Sequence, residues 1–317
     1  MAAFTRIKDI SDLLRISLCF LASFVVLLAG YVAYRLNGVQ TNNFVPQDFF
    51  SFILQNEIVP LEGILVGIIV PFLLIAGTHV INDYFDYEND VINKRLDRPL
   101  VRGSISTRTA LTLALSFYII ALAITIIETL LWLPIHFIVA TVLFILLGIG
   151  YNFGVKKYGI IGNIWVSMGY IMPFLMGTFI VGLVNEWVIL NVIVLCFFIF
   201  FLALGREVLK DIMDIDGDKM TGKKSIAVVF GAHWAAKISG LIYILSILCG
   251  CSLFLFLGFK NNIIFIIGFL IVIVLLLRTS YLLNKNPSLE IAIKGRKYSR
   301  WSLWWSTALI LVSSLFI

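Results

Sequence analysis

Apolar residues in this chain come in long unbroken runs, and polar residues gather where the runs end. The runs show neither the alternation of a half-buried strand nor the single apolar stripe of a surface helix. A helix rising about 1.5 Å per residue needs roughly 20 apolar residues to cross about 30 Å of hydrocarbon. By that ruler the pattern predicts about nine helices, near residues 13–36, 62–84, 107–129, 132–150, 160–183, 187–208, 234–257, 262–283 and 301–317. Pro173 within the fifth run predicts a kink, and Gly169 and Gly177 on either side of it allow close helix approach. The sixth run passes without a break into a polar stretch at Lys210–Asp218.

Composition places these helices in a membrane. The 317 residues are 61% hydrophobic and only 13% charged, whereas soluble domains carry about 25% charged residues. The expected fold class is therefore an all-α polytopic membrane bundle, a single transmembrane domain over 1–317. No low-complexity segment or linker divides it, and no nucleic-acid partner is expected. The charged start (Arg6, Lys8, Asp9, Asp12, Arg15) precedes an apolar run too long for a cleaved leader, so the first helix is expected to be retained. Cys19, Cys196, Cys249 and Cys251 all fall inside apolar runs and read as small buried residues.

Charge sets the orientation. With alternate helices crossing in opposite senses, all of the 24 basic residues except Arg35 and Lys260 fall on the face that holds the N-terminus. By the positive-inside rule that face is cytoplasmic. The expected placement is a multi-pass protein of the cell membrane, among membrane lipids, with its N-terminus and its site mouth in the cytoplasm.

Two of the polar stretches on that face share one spacing. Asp83, Asp86 and Asp90 follow Asp-x-x-Asp-x-x-x-Asp, and so do Asp211, Asp214 and Asp218. On a helix, offsets of three and seven lie within an arc of about 60°, so each motif aims three carboxylates one way. Acids at helix ends are ordinarily just solvated, but one spacing repeated on one face points to a shared task. For Glu88 and Asp216, which lie off the spacing, solvation and a supporting role both stay open. Six converging carboxylates are costly without compensation, and hard oxygen ligands suit Mg²⁺.

Cations follow each motif: Lys94, Arg95, Arg98 and Arg102 after the first, Lys219, Lys223 and Lys224 after the second. A third loop of the same face adds Tyr151, Lys156 and Lys157. Any one of these satisfies the positive-inside rule by itself. Carboxylates, divalent metal and Arg/Lys in one cleft together describe a diphosphate site. With no soluble domain to read a nucleotide, a lipid diphosphate fits best, its chain lying between helices. Departure of diphosphate from an allylic lipid leaves a carbocation that aromatic side chains stabilise in a dry chamber. His79, His136 and His233 show no metal-ligand spacing, and His79 reads as a helix-face hydrogen-bonder. A cation-coupled transporter is the competing class, but the mid-helix regions hold almost no ionisable residues. Acidic loops that merely hold structural metal are the third reading.

These motifs resemble those of the UbiA superfamily of intramembrane prenyltransferases, along essentially the whole chain. Asn82-Asp83-x-x-Asp86-x-x-x-Asp90, continued by Asn93, Arg98-Pro99 and Gly103, is similar to the family's first motif. Lys210-Asp211-x-x-Asp214-x-x-x-Asp218, with Gly222 and Ser225, is similar to the second, and Tyr151, Lys156 and Gly162-Asn163 resemble the signature between helices four and five. The resemblance implies nine helices around a central cavity, Mg²⁺ as cofactor, and transfer of a polyprenyl group from its diphosphate. It implies metal at Asp83, Asp86, Asp90, Asp211, Asp214 and Asp218, with Asp83, Asp86, Asp214 and Asp218 essential to catalysis. Asn82, Lys94, Arg98, Arg102, Tyr151, Lys156 and Lys223 are the expected substrate-binding residues. Among the family's branches, the motifs look most like the one that transfers geranylgeranyl to a glycerol-phosphate ether lipid. The alternative is an aromatic acceptor: 4-hydroxybenzoate, homogentisate or a chlorophyll-type ring. Arg102 stands where many members carry Ser; an extra cation there suits an acceptor with its own phosphate, and neutral drift accounts for it equally well. Ile16 after Arg15, where aromatic-acceptor members often have Pro, disfavours a small aromatic acid.

Overall fold

The computed structural model describes residues 2–41, 61–92, 94–182, 186–256 and 262–314. Asn93, Lys260 and the last three residues of the ninth expected helix lie outside them. The described residues form thirteen α-helices. In chain order these are α1 (Ala2–Leu14), α2 (Ile16–Thr41), α3 (Leu61–Phe85), α4 (Tyr87–Ile92), α5 (Thr107–Leu131), α6 (Ile135–Asn152) and α7 (Ile160–Ile180). Then follow α8 (Glu186–Met213), α9 (Ile215–Met220), α10 (Ile226–Phe230), α11 (Ala232–Phe256), α12 (Ile263–Lys285) and α13 (Leu289–Ser314).

Eight of these helices are long and apolar enough to cross a membrane: α2, α3, α5, α6, α7, α8, α11 and α12. They match the first eight expected runs. Many large apolar side chains point outward, such as Ile119, Leu130 and Leu241, which water would penalise and lipid accepts. Two boundaries differ from expectation. The first run breaks at Arg15, whose φ of 51° is left-handed, so α1 is a separate helix ahead of α2. The last helix begins at Leu289 rather than near 301, because a charged segment with Lys294, Arg296, Lys297 and Arg300 extends it at its N-terminal end. Of the cysteines, Cys19 and Cys196 are buried as expected, whereas Cys249 is half-buried and Cys251 exposed.

Local chemistry accounts for the helix ends that matter. Ser106 caps α5 by accepting from the Thr109 amide at 3.1 Å, and Asn262 caps α12 through the Phe265 amide at 3.1 Å. Helix α7 continues through Pro173. Gly177 lets it lie against α2, because a Cβ there would collide with the Val26 carbonyl and the Ala29 methyl.

The long helices pack in two groups. In the first, α2 packs on α3 and α7, α3 also packs on α5 and α6, and α6 packs on α7. In the second, α8, α11, α12 and α13 pack in turn, with α13 returning to α8. The groups join chiefly where α7 meets α8. The first group carries the first acidic motif at the end of α3, and the second carries the other at the end of α8.

Candidate active site

The two motifs are helical with a bend in each. Helix α3 stops at Phe85 and α4 starts at Tyr87; α8 stops at Met213 and α9 starts at Ile215. Across the first bend the Asp86 and Asp90 amides still donate four residues back, at 2.9 and 2.8 Å. Across the second, Asp214 and Asp218 do the same at 3.2 and 2.8 Å. The three-and-seven spacing therefore keeps its helical meaning through both bends.

Asp86 and Asp214 line one cavity of about 820 Å³, between the two groups of helices. Asn82, Arg98, Tyr151 and Lys156 line it as well. So do the rings of Phe144, Trp165 and Tyr170 and the side chain of Leu147. The lining thus combines charged and aromatic side chains. Asp83, Asp90, Asp211 and Asp218 do not line the cavity; all four are buried.

Ion pairs hold these acids in place. The buried Asp83 accepts at Oδ1 from Arg15 at 2.9 Å and from Arg98 at 2.6 Å. Asp86 accepts from Asn82 at 2.9 Å on one oxygen and from the Lys156 ammonium on the other. Arg98 also reaches Asp90 at 3.8 Å. In the second motif Asn163 donates to Asp211 at 2.8 Å, and Lys223 bridges Asp211 at 3.4 Å and Asp218 at 3.1 Å. The Asp214 carboxylate has no hydrogen bond or ion pair among the described residues. Burial raises the Asp90 and Asp214 carboxyls above their usual range. Burial opposes the charge on Lys223, but Asp211 and Asp218 outweigh it and raise that ammonium.

The Lys156 and Lys223 loops are tied together. The Lys224 amide donates to the Lys157 carbonyl at 3.2 Å. Gly159, at φ 49°, permits this approach, since a Cβ there would strike the Lys224 carbonyl.

The donor set suits a hard divalent cation. It is rich in carboxylate oxygens, and two buried oxygens at the site, Asp83 Oδ2 and Asn152 Oδ1, have no hydrogen-bond partner. Among the described residues no three His, Cys, Asp or Glu side chains stand close enough to form a ligand cage by themselves. Arg15, Arg98, Lys156 and Lys223 neutralise the acids instead.

Some expected contacts fall elsewhere. Lys94 is exposed and does not line the cavity. Arg102 turns to α1, pairing with Asp9 at 2.6 Å and Asp12 at 3.9 Å. Lys223 touches the acids rather than the cavity. Glu88 and Asp216 are exposed. Sequence reasoning did not single out Arg15, Tyr170, Arg206, Glu207, Lys210 and Arg296 as site residues, yet all line the cavity. For Arg206 and Lys210 a signal existed: steps of four lead from them to Asp214, so one helix face carries all three.

Residues 44–303 match the UbiA prenyltransferase family. The digeranylgeranylglyceryl phosphate synthase of Archaeoglobus fulgidus is 30% identical over 251 residues, covering 76% of this chain and 72% of its own. A solved structure of digeranylgeranylglyceryl phosphate synthase superposes with a TM-score of 0.76 at 23% identity, covering 99% of this chain and all of that one. A UbiA homolog from Archaeoglobus fulgidus bound to DMAPP and Mg²⁺ superposes with a TM-score of 0.62 at 20% identity, over 95% of this chain and 99% of that one. The chain belongs to the UbiA prenyltransferase family and is an integral, multi-pass membrane prenyltransferase.

Proposed function

We propose that the chain, as one unit, transfers a geranylgeranyl group from its diphosphate to geranylgeranylglyceryl phosphate at the cytoplasmic face of the cell membrane. The reading rests on Asp86 and Asp214, from motifs far apart in sequence, lining one cavity. The likeness to digeranylgeranylglyceryl phosphate synthases supports the choice of acceptor. The crowding of basic residues onto one face supports the orientation.

In this reading Asp86 and Asp214 would hold Mg²⁺ from the cavity side with Asp83, Asp90, Asp211 and Asp218 behind them, and the ion when bound would screen the diphosphate and make it a better leaving group. Lys156, Arg98 and Asn82 would grip the remaining phosphate oxygens and fix the direction in which diphosphate departs. The C1–O bond of the donor breaks and its electron pair leaves with diphosphate. The acceptor's glycerol hydroxyl oxygen bonds to C1, and its proton is released. Phe144, Trp165 and the Tyr170 ring would face the allylic chain, keep water out and stabilise positive charge through their π faces.

Incubation of the purified protein in lipid with labelled geranylgeranyl diphosphate and separate acceptors tests this. The expected product is the di-geranylgeranyl phospholipid, formed only with Mg²⁺. Prenylated 4-hydroxybenzoate or homogentisate in its place would assign the chain to the aromatic-acceptor branch.

A further inference from the structure

The cavity has a second cationic wall, made by Arg206 and Lys210 on α8 and Arg296 on α13. Arg206 and Lys210 are four residues apart and share a helix face. The Arg206 side chain is 14% exposed. It donates to the Tyr170 hydroxyl at 2.9 Å and to Glu207 at 3.0 Å, and its Nε is buried with no partner. Lys210 reaches the same Glu207 at 3.4 Å. Arg296 makes no ion pair among the described residues. Asp214 also feels Lys210 and Arg296, but in the proposed function its charge is committed to metal. One carboxylate therefore faces three cations.

The missing charge matches a phosphate monoester, whose oxygens accept from forked guanidinium donors. The diphosphate has its own partners at the first motif, so this wall faces a second anion. We propose that Arg206, Lys210 and Arg296 bind the phosphate of the prenyl acceptor, which makes the enzyme selective for a lipid phosphate over the corresponding lipid alcohol. This rests on the proposed function and takes over the role first considered for Arg102, whose charge is spent on Asp9. Tyr170 and Glu207 act as positioning residues that aim Arg206.

The test compares geranylgeranylglyceryl phosphate with unphosphorylated geranylgeranylglycerol as acceptors, using wild type, Lys210→Gln and Arg296→Gln. Arg206 is too buried for Arg206→Gln to be informative alone, so Arg206→Lys serves as its conservative probe. The expected result is a KM for the phosphorylated acceptor raised about tenfold or more by each neutral variant. The preference for the phosphorylated acceptor should fall by a similar factor, with the donor KM unmoved. An intact preference with a raised donor KM would overturn the proposal and give the wall to the diphosphate. If wild type prenylates no glycerol-phosphate lipid, the proposed function is at fault. Direct binding of geranylgeranylglyceryl phosphate without donor then decides the inference by itself: weaker binding in the two variants supports it, and equal binding in all three overturns it.

Discussion

Asp86 and Asp214 differ from the other four motif aspartates in facing the cavity directly. Replacing either by Asn keeps the size and removes the charge. Each change should cut kcat/KM by at least about 100-fold while the protein still purifies as a folded species; near-normal turnover in either variant would remove these residues from the mechanism. The burial that raises Asp90 and Asp214 above 3.8 also fixes a sign. Raised carboxyls keep protons in the folded state that the unfolded chain has already lost. Their contribution to stability is complete below about 3.8 and is lost as pH climbs through the raised values. Mg²⁺ takes up the charge so created. The Mg²⁺-dependent rise in unfolding temperature should therefore shrink as pH is lowered from about 7 toward about 3.8, and a rise that stays constant across that range would contradict this. Most of these acids were legible from spacing. Among the cavity cations Arg98 and Lys156 were legible too, whereas Arg206, Lys210 and Arg296 were passed over because the orientation rule already explained them and sequence distance hid that α8 and α13 are neighbours.

At the scale of elements, the eight apolar runs could be read directly because a helix in hydrocarbon must satisfy its own backbone and span a fixed thickness. The two boundaries that moved obey other rules. Arg15 adopts a left-handed φ without being Gly, Asn or Asp, so nothing in its type announces a break. In α13, helical geometry runs on into a charged segment that a hydropathy ruler stops short of. Close packing of α7 on α2 depends on Gly177. Gly177→Val would press a branched side chain into the Val26 carbonyl, costing about 1–3 kcal/mol. A thermal scan in detergent should show a clear drop in the unfolding midpoint. Gly169→Ala, where a Cβ meets nothing within 4 Å, should leave it nearly unchanged.

For the whole molecule, the two helix groups each bring one acidic motif, and neither group alone closes the cavity. The proposed topology sets the faces on which labels should react. A cysteine placed at the exposed Lys94 should react with an impermeant maleimide only after cells are opened. Labelling of intact cells at that position would reverse the orientation.

The pairing of Asp83, Asp86, Asp211 and Asp218 with arginine and lysine has a physiological corollary. The fold supplies its own counter-ions, so its architecture does not hinge on ionic loading as that of a zinc finger does. A cell starved of magnesium would keep this enzyme intact and idle, and restoring the ion would restart lipid synthesis without new translation.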